Sequence, residues 1–283
     1  MNRCDCVRMF VGLAIGVFSR AAYGDELTIY QIQSNTSNGD SSIYHTQTHN
    51  VTGGIVTHIW HRAGDSNERV YLQDPAHATW GAIVVKDSHL GELSNNVNVG
   101  DWVSFDNIYI EEFRGTTFLQ YNKTLAPSVT FTVESTGNPV PAPTVLTAAD
   151  LVVPVNHAAS EPYESMVVTL QNTIVGSKGL GKNSDNYELL QGDDTAWGTD
   201  YMNVDAGAPY DPPIVTRRML LSITGVVEQY TSLPTWDYYQ VNTRGAADIV
   251  AGDLVPAVSE WGMIALSLLT IIAGTVVLRR SAA

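Results

Sequence analysis

Val99-Gly100-Asp101-Trp102-Val103-Ser104-Phe105-Asp106-Asn107-Ile108-Tyr109-Ile110 decides the fold class. A Gly-Asp turn pair enters a run of β-branched and aromatic residues whose alternation suits a strand with one buried and one wetted face. Working outward, similar short runs recur about every ten residues, broken by Gly, Asn, Asp and Pro. They include Gly54 to Ile59, Val70 to Gln73, Ala82 to Val85, Thr117 to Tyr121, Met166 to Leu170, Tyr187 to Leu190 and Leu220 to Val227. That punctuation predicts an all-β chain. Helix signals are few, and Thr147 to Leu151 begins one short turn.

The strands repeat. Tyr44, Val51-Thr52-Gly53-Gly54-Ile55-Val56, Val70-Tyr71-Leu72-Gln73-Asp74 and Trp80-Gly81 return as Tyr163, Val167-Val168-Thr169-Leu170, Tyr187 to Asp193 and Trp197-Gly198. Ile110-Glu111-Glu112-Phe113 answers to Val227-Glu228-Gln229-Tyr230, and Leu119-Gln120-Tyr121 to Tyr239-Gln240-Val241. The proline-rich stretch 138–143 has linker chemistry. The expected division is therefore a module over 25–137 and a second over 144–250.

The order of these motifs resembles the OB-fold-like modules that accompany bacterial extracellular nucleases. Thr52-Gly53-Gly54-Ile55-Val56, Tyr71-Leu72-Gln73-Asp74-Pro75 and Val99-Gly100-Asp101-Trp102-Val103 carry the likeness in the first module. Glu161 to Val168 and Thr224-Gly225-Val226-Val227-Glu228 carry it in the second. The resemblance implies two tandem OB-fold-like small barrels. Gly225 would then allow the bend or bulge that a small barrel needs.

Residues 1–24 have the basic, apolar, small-residue layout of a secretory signal: Arg3 and Arg8, then Met9 to Phe18, then Ala22 and Gly24 at the positions a signal peptidase reads. Cleavage is expected after Gly24. At the other end, Trp261 to Leu278 is an uncharged, mostly apolar stretch of eighteen residues followed by Arg279 and Arg280. It predicts a single membrane helix with the arginines inside and the preceding chain outside. The segment 251–283 resembles the IPTL-CTERM bacterial sorting signals through Pro256, Ser259, Glu260, Trp261, Gly262, Arg279 and Arg280. Val255, Ala257 and Val258 depart from the eponymous tetrapeptide but keep its apolar character. The resemblance implies an exosortase-type sorting protease as partner, cleavage near the motif, and transfer to the cell surface or release. The alternative is a plain tail anchor.

Charge narrows the function. Outside the two ends, ten basic and 27 acidic residues remain, near −17. That field repels phosphate backbones, which disfavours nucleic acid as a partner. Cys4 and Cys6 are the only cysteines and fall within the signal, so the mature chain would have no disulfide, thiolate site or Cys nucleophile. The chain shows no Gly-x-Ser-x-Gly elbow, His-Glu-x-x-His, phosphate-binding glycine loop or EF-hand spacing. Nor is there a stretch for the catalytic domain of the nucleases. The expectation is a non-enzymatic exported surface or matrix protein without a cofactor.

Two clusters have metal-ligand chemistry, His45, His49, His58, His61, His77 and His89 in the first module and Asp193, Asp194, Asp200, Asp205 and Asp211 in the second. Scattered loop histidines and solvated acidic loops are the commoner outcome for each. Aromatics of both modules have the chemistry of a stacking face or a barrel core: Tyr71, Trp80, Trp102, Tyr109 and Phe113, then Tyr187, Trp197, Tyr230, Trp236, Tyr238 and Tyr239. Trp236, Tyr238 and Tyr239 form the candidate contact patch, for which extracellular polysaccharide, a neutral glycan, suits the acidic field. The alternatives are thus a glycan- or polymer-binding accessory module and an accessory subunit of an extracellular nuclease.

Overall fold

A computed structural model describes residues 26–34, 41–61, 68–89, 91–202 and 214–254. The protein is all-β, with two closed five-stranded barrels in tandem. In the first, β1 (Thr48–Trp60), β2 (Glu68–Gln73), β3 (Ala82–Asp87), β4 (Trp102–Phe113) and β5 (Thr116–Tyr121) close in the order β1-β2-β3-β5-β4-β1. The β3–β5 pairing is parallel and the other four are antiparallel. β6 (Thr130–Ser135) lies outside the ring on β4.

The second barrel repeats this connectivity. β7 (Thr144–Leu146) precedes β8 (Val167–Leu180), β9 (Asn186–Gln191), β10 (Asp194–Thr199), β11 (Arg218–Ser232) and β12 (Trp236–Asn242), which close as β8-β9-β10-β12-β11-β8. β13 (Ile249–Leu254) flanks β11 as β6 flanks β4. The five-stranded ring with one parallel closure is the OB arrangement, so the expected fold is the observed one. Each barrel has its own apolar core, centred on Val70, Leu72, Ile83, Phe105 and Leu119 in one and on Leu170, Tyr187, Leu189, Ile223 and Val241 in the other.

The repeat begins earlier than the strand pattern suggests. Leu27 bridges Val51 in parallel, and Leu146 pairs with Leu170 in the same sense. The next residue of each caps a short helical turn: Thr28 before α1 (Ile29–Gln33), and Thr147 before the 3-10 turn Ala148–Leu151. Gln31 and Asp150 return hydrogen bonds to these caps, both at 2.8 Å to the Thr backbone N–H. A Thr followed three residues later by a reciprocal acceptor is the capping-box signature. Each turn then inserts apolar residues into its barrel, Ile29 and Ile32 in one and Ala148 and Leu151 in the other.

Two local expectations are revised. Trp80 and Trp197 are not equivalent: Trp80 lies in the β2–β3 turn with φ +61, whereas Trp197 is inside β10. Gly225 is not a bend; β11 runs through it on β8 without a register shift, Ser222 to Val226 facing Gln171 to Val167. A side chain there would stand 2.5 Å from the Asn242 carbonyl oxygen, so glycine is needed because β12 passes so closely.

Candidate functional site

In both barrels the second, third and fifth strands turn alternate side chains away from the core, making an outer face. The two faces have opposite fates.

On the first barrel the face is covered by the second barrel. Trp60, Tyr71, Val84 and Phe118 form one buried cluster with Val167, Met202 and Val226, and Tyr201 packs against it. Within this seam Glu228 of β11 accepts hydrogen bonds from Arg69, Tyr71 and Tyr201, and from Asn242 Nδ2 at 3.0 Å. Burial alone would raise the Glu228 carboxyl, but the Arg69 charge and these donors hold it below the usual carboxylate range. Nearby, burial drives the His58 imidazole down to about 4.

At the other edge of the seam stand Glu112, Glu161 and Glu164. Gln33 Nε2 and the Thr117 N–H donate to Glu164 at 3.2 and 3.1 Å, while Thr117 Oγ1 donates to Glu112 at 2.7 Å. Burial first, and mutual repulsion second, raises Glu164 well above its ordinary value. Burial also outweighs the Thr117 bond at Glu112 and pushes it up to about 7.

On the second barrel the equivalent face is open, and four aromatics meet there. Tyr238 of β12 is buried at the centre. Trp197 of β10 lies 4.6 Å from it, Tyr230 of β11 stacks at 5.6 Å and 27°, and Trp236 stands edge-on at 6.4 Å and 88°. These three surrounding rings remain partly exposed. The β8–β9 loop closes one side: Lys182 donates its N–H to Tyr238 Oη at 3.5 Å and holds its Nζ 5.3 Å from the Tyr230 centroid. Burial pushes the Tyr238 hydroxyl up to about 12.

The first barrel supplies the final component. Arg114 and Gly115 form the β4–β5 hairpin turn with φ +57 and +86, the paired positive values of a type I′ turn. The Arg114 carbonyl accepts the Thr231 N–H at 2.7 Å, and Thr116 Oγ1 donates to the Gln229 carbonyl at 2.9 Å. So anchored, Arg114 lies 5.3 Å over Tyr230 and donates from Nη1 to its hydroxyl at 2.7 Å.

The structure sorts the aromatic candidates. Trp236 and Tyr238 belong to the face, but Tyr239 points into the barrel and donates its hydroxyl to Glu161. Adjacent residues in a strand face opposite ways, so the three could not share one surface. Tyr187 is core, and Tyr71 is sealed in the seam. Arg114 and Lys182 escaped the sequence reading because nothing local to either residue announces Tyr230, which is 116 positions from Arg114.

The other candidate chemistry is dispersed. His61 bonds Glu68 at 3.0 Å, His49 bonds Gln47 at 3.1 Å, His45 accepts the Glu112 N–H at 2.8 Å and His77 stacks on Tyr30 at 4.4 Å. Among the described residues, no three His, Cys, Asp or Glu side chains converge as a metal site. His157 joins Asp237 at 3.0 Å and Tyr239 at 3.2 Å. Burial first, and then the Glu161 charge, raises the Tyr239 hydroxyl above its ordinary value. Asp205 and Asp211 lie outside the described residues, as do Ala22 and Gly24, the predicted helix Trp261 to Leu278, and the sorting-motif residues Pro256, Ser259, Glu260, Trp261, Gly262, Arg279 and Arg280. No helix among the described residues is long and apolar enough to cross a membrane.

No protein-family model matches the chain, and neither does any curated protein. Among solved structures it is similar to Schizosaccharomyces pombe Pot1pC bound to ssDNA, with 15% identity over 34% of this chain and 85% of that one, at a TM-score of 0.26. A replication protein A heterotrimer bound to ssDNA matches at 10% identity, 88% and 73% coverage and TM-score 0.28. Tetrameric p202 HIN2 matches at 11%, 78% and 98%, and 0.34. Likenesses this distant transfer no ligand to the chain.

Proposed function

We propose that this chain is a non-enzymatic surface or matrix protein, exported by its N-terminal signal and delivered through its C-terminal sorting signal, whose second barrel holds an extracellular polysaccharide. One observation carries the binding part of this reading: Trp197, Tyr230 and Trp236 surround Tyr238 on an open barrel face. Flat rings present apolar area to the C–H faces of sugars, and stacking needs little side-chain ordering because the rings already brace one another. The indole N–H groups of Trp197 and Trp236 make no hydrogen bond among the described residues, so both remain available to sugar hydroxyls.

The test is affinity electrophoresis of the full chain in gels containing the exopolysaccharide of its own source. Retardation should appear in the parent protein and be lost in Trp197→Ala/Trp236→Ala, with both proteins melting within a few degrees of each other. Equal mobility with and without polysaccharide would sink the binding role. Terminal sequencing of the surface fraction tests delivery: the reading expects a start at Asp25 and an end near Ser259, and an intact Arg279-Arg280 tail in the membrane would refute sorting.

A further inference from the structure

Resting on the polysaccharide reading, we infer that the polymer recognised is an acidic one, with carboxylate-bearing sugars, and that Arg114 and Lys182 form its anion clamp. In a chain with 15 basic and 29 acidic residues, most cations would be expected to find carboxylates. Several do: Arg69 pairs with Glu228, Lys123 with Glu92 at 2.5 Å and Arg244 with Asp248 at 2.7 Å. Arg114 and Lys182 pair with no carboxylate among the described residues, and both are exposed. They come from different barrels, yet each lies 5.3 Å from the centroid of the same tyrosine ring. They are therefore no farther apart than twice that distance, close enough to serve one sugar unit or two neighbours.

The arrangement is built rather than incidental. The Arg114 backbone is fixed to β11 through Thr231, and a side chain on Gly115 would come within 2.6 Å of Gln229 and Thr231. The guanidinium donates from Nη1 to Tyr230 on an exposed side chain, which leaves further N–H donors for a carboxylate. Carboxylates close by are engaged elsewhere. Asp237 accepts from Thr231 Oγ1 at 2.9 Å and bonds His157, and Glu188 accepts the Ser177 N–H at 2.7 Å. Asp185 also stands near Tyr238, and burial raises its carboxyl.

A strand of nucleic acid fits these observations less well. It would bring a charge with every nucleotide toward a protein of formal charge −14, and two cations neutralise two phosphates at most. A glycan in which acidic and neutral sugars share the face needs only a local pair of cations beside stacking rings.

The experiment uses the full chain and three probes: hyaluronan, in which a uronate alternates with a neutral sugar, as the acidic glycan, dextran as the neutral one, and oligo-dT as single-stranded nucleic acid. Hyaluronan should bind most tightly and weaken with salt, and Arg114→Gln/Lys182→Gln should weaken it by about tenfold or more. Arg114→Lys should recover only part of that loss, because it restores charge without the fork. Equal binding of dextran and hyaluronan, unaffected by the double change, would overturn the acidic assignment while leaving the polysaccharide role standing. Failure of both glycans would overturn both. Tightest binding to oligo-dT, lost in the double variant, would reassign the clamp to nucleic acid. Unchanged melting temperature and tryptophan emission in the variants exclude misfolding as the cause.

Discussion

Arg69 and Glu228 show how one pair can join two barrels. Glu228 is almost entirely removed from water, while a quarter of the Arg69 side chain remains exposed. Two tyrosine hydroxyls and one amide complete the carboxylate's bonding. Removing one member of such a pair strands the other, which costs more than the pair contributes. Arg69→Met should therefore lose about 3 kcal/mol in urea denaturation, and Arg69→Met/Glu228→Gln should lose less than that single change. A double variant no better than the sum of the two singles would show that the ion pair is not coupled across the seam.

At the scale of elements, β4 explains why the alternation that identifies the strand does not give its facing throughout. Val103 and Phe105 point inward, but the inward set then shifts to Ile108 and Ile110. Asn107, at φ +53, is the extra residue: β1 pairs His49 with Ile108 and Val51 with Phe105. Its N–H is taken by Asn50 Oδ1 at 2.9 Å. Such a bulge adds the coiling that lets one strand serve both sides of a small barrel. Gly53 belongs to a second irregularity of the same pairing, between Val51 and Gly54 on β1, with φ +67 and a would-be Cβ 1.6 Å from the Val103 carbonyl oxygen. Gly137 has nearly the same φ, +68, with open space around it. Gly137→Ala should then cost about 1 kcal/mol, the left-handed penalty alone. Gly53→Ala should cost at least about 2–3 kcal/mol, since backbone must move as well. Equal losses in thermal melts would mean that β1 can shift to admit the methyl group.

For the whole molecule, the seam that occupies the first barrel's outer face also makes stability depend on pH. Glu112 and Glu164 bind protons more tightly when folded than when unfolded. Their contribution is complete below the ordinary glutamate value near 4.5 and is lost as pH rises above it, through about 7 for Glu112, with Glu164 shifted in the same direction. His58 works in the other direction: buried and neutral, it costs stability as pH falls from 6.5 toward 4. Glu112→Gln/Glu164→Gln should therefore gain on the parent steadily from pH 4.5 to 7, by about 3 kcal/mol for Glu112 alone, in denaturation curves at fixed ionic strength. Parallel pH profiles would show that these carboxylates keep ordinary proton affinities in the seam.

The sequence by itself determined the all-β class, the twofold repeat and the Gly100-Asp101 entry to β4, because turn residues and side-chain alternation act over a few neighbours. Of the two capping turns only Thr147 to Leu151 was expected; its counterpart at Leu27-Thr28 with Gln31 shares the spacing of Leu146-Thr147 with Asp150 but emerges from the structure. Only the tertiary structure decided which aromatics form a face. Tyr71 and Tyr238 both lie in polar-aromatic strands and both point away from their own cores. One is sealed because the second barrel packs over it, whereas the other stays at the centre of an open surface. That difference, and the meeting of Arg114 with Lys182 at Tyr230, depends on how the two barrels dock, which no local spacing encodes.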